Sequence, residues 1–148
     1  MHGIDLLSSI RCITKAHEGV LKKIGAEFCL SLLEVKVISF LHNHPEQNTA
    51  GDIAEYRMLS KGNVSRAVES LIRRGWMERT PDRRRVYLRL LPASKPITDT
   101  IDREWKIFYQ SLFRNFSEEE IGQYDRFKEK LMQNARAILQ DEERGDRK

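Results

Sequence analysis

The first half of the chain repeats apolar residues at steps of three and four, the spacing that places them on one face of an α-helix. We predict a long helix over residues 4–25, a second that follows Ser31, a short third over residues 50–56 and a fourth over residues 61–74. A serine or threonine stands just before each of the last three helices, where its side chain can cap the helix. Helices of this kind can bury their apolar faces in one small core.

The period changes to two after Gly75, a residue type that is common just past a helix end. Residues 76–80 and 86–91 are predicted to form two strands, and the polar residues 81–85 between them a turn. The half-buried face of this hairpin is expected to consist of Trp76, Val86 and Leu88.

Helical spacing returns in the last third of the chain. One helix is predicted over residues 96–115, and Ser117 with Glu120 has the capping-box pattern that opens another. The residues from 142 to 148 are charged, and we expect this tail to fray. The fold class is therefore predicted to be mainly α with a small β-wing.

The order helix, turn, helix, hairpin is that of a winged helix-turn-helix. We place this head at residues 30–92 and predict that residues 1–29 and 93–141 form a helical dimerisation region, all within a single domain of residues 1–148. The flanking helices carry more apolar side chains than the small head needs. These apolar residues include Ile4, Leu7, Phe108, Phe113, Phe127, Leu131 and Ile138.

Composition narrows the class of protein. With 40% apolar and 32% charged residues the chain of 148 residues can fold around one core. It has neither an apolar run long enough to cross a membrane nor a signal-peptide pattern, so we expect a cytoplasmic protein. Catalytic motifs are not visible, and we predict that it is not an enzyme and that it holds no metal and no cofactor. Cys12 and Cys29 are too few for a disulfide framework.

Positive charge is concentrated in one segment. Residues 57–90 contain ten Lys/Arg and three Asp/Glu, a net charge of 10 − 3 = +7, whereas the whole chain carries +4. Everything outside the segment therefore sums to 4 − 7 = −3. A basic segment that coincides with a capped helix and a hairpin indicates binding to nucleic acid.

The fourth helix has the pattern of a DNA-reading helix. A stripe of Val64, Ala67, Val68, Leu71 and Ile72 can fix it on the core, which leaves the opposite face free to enter a major groove. That face offers Lys61, Asn63, Ser65 and Arg66. Thr49 and Ser60 begin the third and fourth helices, whose N-terminal N–H groups can bind phosphate.

The hairpin tip is the second predicted DNA contact. Arg83, Arg84 and Arg85 can enter a narrow A·T-rich minor groove, where the negative potential is enhanced. Asp82 is expected to orient a neighbouring arginine, since phosphates would repel its carboxylate. Arginines that flank the helix and the tip are candidates for phosphate contacts, namely Arg73, Arg74, Arg79 and Arg89.

These segments resemble the MarR family of winged helix-turn-helix transcriptional regulators. The matching residues are Leu59-Ser60, then Val64-Ser65-Arg66, Leu71 with Gly75, Arg79, and Asp82-Arg83-Arg84. The resemblance implies that Arg84 is the wing arginine for the minor groove with Asp82 as its partner. Residues 91–96 depart from the family pattern, which usually has threonine and glycine there.

The resemblance also implies a homodimer that binds a double-stranded, pseudo-palindromic DNA operator and is released by a small aromatic effector or an oxidant. Repression is the simpler expectation, because a bound regulator occludes its operator. Candidate effector residues are Cys12, His17, Trp105 and Tyr109, although a core role for the histidine, the aromatic residues and the cysteines is the stronger interpretation. A metal at His42 and His44 is disfavoured, since residues two apart on a helix do not face each other.

One rival function from another class stays open. A winged helix can serve as a protein–protein interaction module without specific DNA binding, since a fold does not fix a function. Such a module would not need a basic tip or a polar helix face, both of which this sequence has.

Overall fold

A computed structural model describes the backbone of residues 3–147 and the side chains of residues 5–147. The side chain of Ile4, a residue predicted to take part in dimerisation, therefore lies outside the described part. Residues 1, 2 and 148, at the two ends of the predicted domain, also lie outside it. The chain divides into two compact units, Met1–Phe108 and Tyr109–Lys148. Among the described residues, no helix is long and apolar enough to cross a membrane.

Four helices open the first unit, as the sequence predicts. They are α1 (Gly3–Phe28), α2 (Leu32–Asn43), α3 (Ala50–Arg57) and α4 (Lys61–Arg73). The largest difference from prediction is at the end of α1, which runs three residues beyond residue 25. Cys29 then adopts a φ of 55°, a left-handed conformation that stops the helix.

Side-chain caps explain where the next three helices begin. The hydroxyl of Ser31 accepts a hydrogen bond from the backbone N–H of Glu34 at 3.1 Å, and that of Ser60 accepts one from Asn63 at 3.2 Å. The hydroxyl of Thr49 accepts one from the backbone N–H of Asp52 at 3.0 Å, and the carboxylate of Asp52 accepts one from the backbone N–H of Thr49 at 3.3 Å, so this cap is a reciprocal capping box. The three predicted caps are confirmed.

The hairpin is longer and its turn tighter than predicted. Strand β1 (Met77–Asp82) pairs with β2 (Arg85–Leu90) in an antiparallel ladder. Pro81, Asp82 and Arg85, predicted to lie in the turn, are part of the ladder, and the turn itself is only Arg83-Arg84. The gain in ladder length comes from the left-handed φ of 58° at Arg83, which lets two residues reverse the chain.

The predicted buried face of the hairpin is partly wrong. Leu88 is buried as expected, but Val86 is 46% exposed because it pairs with the exposed Pro81 near the tip, beyond the reach of the core. Trp76 precedes β1 and is half-buried, whereas its neighbour Met77 is buried. The core of the hairpin is thus at its root.

One apolar core holds the first unit together. It joins α1, α2, α3, α4 and the hairpin root to the first half of α5 (Lys95–Leu112), which follows a 3-10 turn at Pro92–Ser94. The predicted stripe of α4 is confirmed, with four residues buried and Ile72 partly buried. Large side chains that are almost completely buried include Ile38, Phe40, Ile53, Leu71, Met77 and Ile97.

The second unit contains the end of α5 and the long helix α6 (Glu118–Asp146). Ser117 caps α6 by accepting from the N–H of Glu120 at 3.1 Å, which confirms the predicted capping box. The charged tail that was expected to fray is helical as far as Asp146. The helix buries none of its described residues within this chain, and most of its large apolar residues are exposed, with Phe127 at 60% and Ile138 at 61%.

Candidate nucleic-acid interface

Helix α4 presents one apolar and one polar face. Val64 and Leu71 are completely buried, and they fix the helix on the core of the first unit. The residues predicted to read bases lie on the opposite, exposed face, namely Lys61, Asn63, Ser65 and Arg66. The burial pattern therefore leaves a row of polar side chains on the surface, where they can contact a ligand.

Two of these side chains are joined. Arg66 donates from Nη2 to Oδ1 of Asn63 at 2.6 Å, one helical turn away. The amide oxygen of Asn63 is thereby occupied, while its amide N–H groups stay available as donors. The pair holds the guanidinium of Arg66 near the start of α4.

An open groove of about 760 Å³ lies between the N-terminal ends of α3 and α4 and the hairpin. Thr49, Lys61, Arg84 and Arg85, all predicted from sequence to contact DNA, line this one groove. The hairpin is fixed to the start of α3, because the backbone N–H of Leu88 donates to the carbonyl of Asn48 at 2.7 Å. The structure thus brings two helix N-termini and two arginines together.

The hairpin tip exposes three successive arginines, Arg83, Arg84 and Arg85. The predicted pairing of Asp82 with Arg84 is not found, since within residues 5–147 the carboxylate of Asp82 forms no ion pair. Its neighbour across the ladder is Arg85. The reason is the two-residue turn, which places Arg84 in the loop and Asp82 in the strand.

Other arginines of the segment are engaged within the protein. Arg79 on β1 forms an ion pair with Glu69 on α4, and Arg89 on β2 forms one with Glu78 on β1. Arg73 is exposed, and in the described part of the chain it forms no ion pair. Of the predicted phosphate-contacting arginines, Arg73 is therefore the most available in the free protein.

The residues predicted as effector candidates differ in their burial and contacts. His17 packs edge-on against Trp105 at a ring-centroid distance of 5.0 Å and against Phe108 at 5.4 Å, which confirms a packed histidine. Burial, and then the charges on Arg57 and Lys36, lower the pKa of His17. Trp105 is 48% exposed, so the expected core role is wrong for this residue within the chain. Tyr109 belongs to the second unit.

The cavity beside His17 has a volume of about 20 Å³. Ser39, Asn43, Asp102 and Trp105 contribute to its lining. A space of this size holds about one water molecule. The protein in this conformation therefore has no room there for an aromatic effector.

The two cysteines differ from their expected core role, and the two histidines contact other side chains of the protein. Cys12 and Cys29 are exposed, so the interpretation of them as core residues is wrong. His42 bonds to Asp102 at 2.8 Å, and His44 stacks on Phe40 at 4.8 Å. The described residues contain no group of three or more side chains able to hold a metal ion.

Comparison with known proteins agrees with this architecture. Residues 30–85 match the model of the MarR family. No curated protein matches the chain. Among solved structures, a MarR transcriptional regulator from Methanosarcina mazei Go1 is similar with a TM-score of 0.79 and 16% identity, over 93% of this chain and 94% of that one.

Two further solved structures share the fold. A MarR-family regulator from Silicibacter pomeroyi has a TM-score of 0.74 and 18% identity, over 84% of this chain and 86% of that one. MepR of S. aureus, solved in complex with DNA, has a TM-score of 0.70 and 19% identity, over 85% of this chain and 93% of that one.

A capped helix-turn-helix followed by a two-stranded wing defines a winged-helix protein, mainly α with a small β-wing. Within that class, residues 30–85 match the model of the MarR family, and the chain shares the fold of solved MarR transcriptional regulators.

Proposed function

We propose that this protein is a transcriptional regulator that binds a specific double-stranded DNA operator through α4 and the wing. The observation that carries the proposal is the shared groove, in which Thr49 and Lys61 at two helix N-termini face Arg84 and Arg85 of the wing. Helix N-termini and arginines both favour phosphate, and an exposed polar helix face beside them can reach base edges.

The wing and α4 have separate tasks in this account. The exposed face of α4 carries Lys61, Asn63, Ser65 and Arg66, and a major groove is wide enough to admit an α-helix. Arg84 at the tip of the tight turn is placed for an adjacent minor groove, where A·T-rich sequence attracts arginine.

The regulator acts as a homodimer on a pseudo-palindromic site. One head reads one half-site, and two heads must lie about 34 Å apart to reach successive major grooves on one side of the duplex. Apolar side chains that would face a second copy are exposed on α1 and α6, and they include Leu7, Ile10, Phe127 and Leu131. Repression by operator occlusion is the expected outcome of binding.

Release by a small aromatic effector remains part of the proposal through the family resemblance alone. The cavity beside His17 holds about one water, so an effector there would have to open the packing of His17 on Trp105. Cys12 and Cys29 are exposed and offer an alternative route through oxidation.

The test is a mobility-shift titration on the DNA upstream of the protein's own gene, at two salt concentrations, with an unrelated duplex as control. A DNA reader binds the upstream fragment more tightly, and the logarithm of its affinity falls with that of salt by about 0.9 per phosphate contacted. Equal, weak binding to both duplexes at both salt concentrations would favour the protein–protein interaction module instead.

A further inference from the structure

The end of α4 is tied to the end of α1 by a single arginine. Arg74, which follows α4, donates from Nη1 to the carbonyl of Cys29 at 2.7 Å and from Nη2 to the carbonyl of Phe28 at 3.0 Å. Both carbonyls belong to the C-terminal end of α1, where a helix leaves carbonyl groups without internal partners and favours a cation. One guanidinium therefore links two helices that are far apart in sequence.

A carboxylate extends this link to α2. Glu34 accepts from the hydroxyl of Ser70 on α4 through Oε2 at 2.9 Å and from the backbone N–H of Ser31 through Oε1 at 3.0 Å. Its Oε2 lies 3.9 Å from Nη1 of Arg74. The side chain of Glu34 is only 12% exposed, and a carboxylate this shielded from water needs such partners.

The charge state of Glu34 agrees with its contacts. Burial by itself would raise the pKa of this carboxyl group, but the hydrogen bonds from Ser31 and Ser70 and the charge on Arg74 outweigh it and lower the pKa. Glu34 is therefore ionised at neutral pH.

The aromatic ring of Trp76 fixes the remaining face of the arginine. The guanidinium carbon of Arg74 lies 4.0 Å from the ring centroid, within the range of a cation–π contact. Arg74 is thus held at its edge by two carbonyls and on its face by a ring, which leaves it poorly placed to turn toward a phosphate.

We propose that Arg74 and Glu34 are positioning residues for DNA recognition, which set the orientation of α4 relative to α1 and α2 without contacting DNA. The inference rests on the proposed function, and it replaces the sequence-based expectation that Arg74 binds phosphate. Because α1 also carries apolar residues proposed for the dimer, the link relates the reading helix of each head to the surface that sets the spacing of the two heads.

Three variants separate positioning from phosphate binding. Arg74→Gln removes the link and one positive charge, Arg74→Lys keeps the charge but cannot bridge two carbonyls with a planar fork, and Ser70→Ala removes one bond of the network without a charge change. The comparison variant is Arg73→Gln, which removes the same charge from the adjacent, exposed arginine that is proposed to contact phosphate, and it should lower the salt slope by about 0.9. Affinity is measured across salt for a duplex selected by the wild-type protein from a random library and for an unrelated duplex.

Positioning predicts that Arg74→Gln weakens binding to the selected duplex roughly tenfold, the factor that corresponds to one charge-assisted hydrogen bond. Binding to the unrelated duplex and the salt slope should match those of wild type, Arg74→Lys should not restore affinity, and Ser70→Ala should shift it in the same direction. A salt slope reduced by about 0.9 in Arg74→Gln, with affinity restored in Arg74→Lys, would overturn the proposal, since that is the behaviour of a phosphate contact.

Amide hydrogen exchange of the free protein keeps the inference testable if no duplex is selected, an outcome that would defeat the proposed function itself. The link predicts roughly tenfold faster exchange in the last turns of α1 and α4 for Arg74→Gln and Ser70→Ala than for Arg73→Gln. Equal exchange in all three variants would show that the network does not hold α4 in place.

Discussion

Arg79 on β1 forms an ion pair with Glu69 on α4, so the root of the wing is joined to the helix proposed to read DNA. The two side chains are about half exposed, and a pair of this kind contributes little to stability. The direction in which the wing leaves α4 is set by Met77 and Leu88, which are buried in the core at the root of the hairpin, and the ion pair adds a surface link between β1 and α4. The tip arginines and the polar face of α4 are thereby held in one arrangement.

The first prediction concerns the wing tip. Arg84→Ala should weaken binding to operators with A·T-rich flanks more than to the same operators with G·C-rich flanks, since the narrow groove of A·T-rich DNA attracts arginine most strongly. Fluorescence anisotropy on paired duplexes measures the difference. Lys130→Ala, which removes one exposed charge from α6, is the control. An affinity unchanged by Arg84→Ala would mean that the wing does not contact DNA.

The second prediction concerns the pair of Asn63 and Arg66. Arg66→Ala should cost about 1–3 kcal/mol at particular base positions if its guanidinium reads a base edge. Asn63→Ala releases the guanidinium from its 2.6 Å bond and should relax specificity at those same positions. Binding to a library of single-base operator variants locates them. A uniform loss over every position would assign both residues to phosphates.

The third prediction concerns the backbone of the wing turn. Arg83 has a φ of 58°, a left-handed conformation in which asparagine is more favourable than arginine. Arg83→Asn should therefore stabilise the fold by a few tenths to about 1 kcal/mol. Urea unfolding checks this through a higher midpoint at unchanged slope. Arg84→Asn removes the same charge at a position without positive φ, and a matching gain in that variant would point to charge repulsion instead.

The fourth prediction concerns pH. Burial and the charges on Arg57 and Lys36 lower the pKa of His17 in the folded protein, so the unfolded chain binds the proton more readily. The stabilising effect of the neutral ring is fully present above the unfolded pKa of about 6.5 and is lost as pH falls below it toward the folded pKa. The free energy of unfolding should thus decrease from pH 7 to pH 5, and less steeply in His17→Gln. If the free energy of unfolding of His17→Gln depends on pH as steeply as that of wild type, His17 does not cause the pH dependence.

The fifth prediction concerns assembly. Phe127→Glu on α6 should convert the proposed dimer to a monomer, because it places a charge on an apolar side chain that is 60% exposed in the single chain. Light scattering coupled to size exclusion gives the mass, and circular dichroism checks that the helices persist. Glu129→Lys, a charge change on an exposed residue of the same helix, should leave the mass unchanged. A wild-type monomer at micromolar concentration would contradict the dimer.

Local chemistry made most of the fold predictable from sequence. Ser31, Thr49, Ser60 and Ser117 each cap a helix because a capping serine or threonine bonds to a backbone N–H only three residues away. The buried stripe of α4 follows from a repeat within the helix itself. Both signals lie within a few residues, where a sequence pattern is direct evidence.

Contacts between distant segments could not be predicted in this way. Arg74 bonds to Cys29, 45 residues earlier, and Ser70 bonds to Glu34, 36 residues earlier. Neither spacing has a periodic signal in the sequence. The sequence therefore predicted the same phosphate-binding role for Arg73, Arg74, Arg79 and Arg89, although their contacts in the folded protein differ. The length of the wing turn was predicted wrongly for a different reason. Arg83 has the left-handed backbone conformation that glycine or asparagine usually adopts, so the sequence contains no sign of a two-residue turn.

The salt dependence of binding to a selected operator tests the central claim most directly. Wild-type protein should prefer that operator to a scrambled duplex, and its log–log salt slope should be reduced by about 0.9 in Arg84→Ala. The preference should persist at the higher salt concentration, since base contacts do not release counterions. Identical affinities for operator and scrambled duplex at every salt concentration would contradict the account of a sequence-specific regulator.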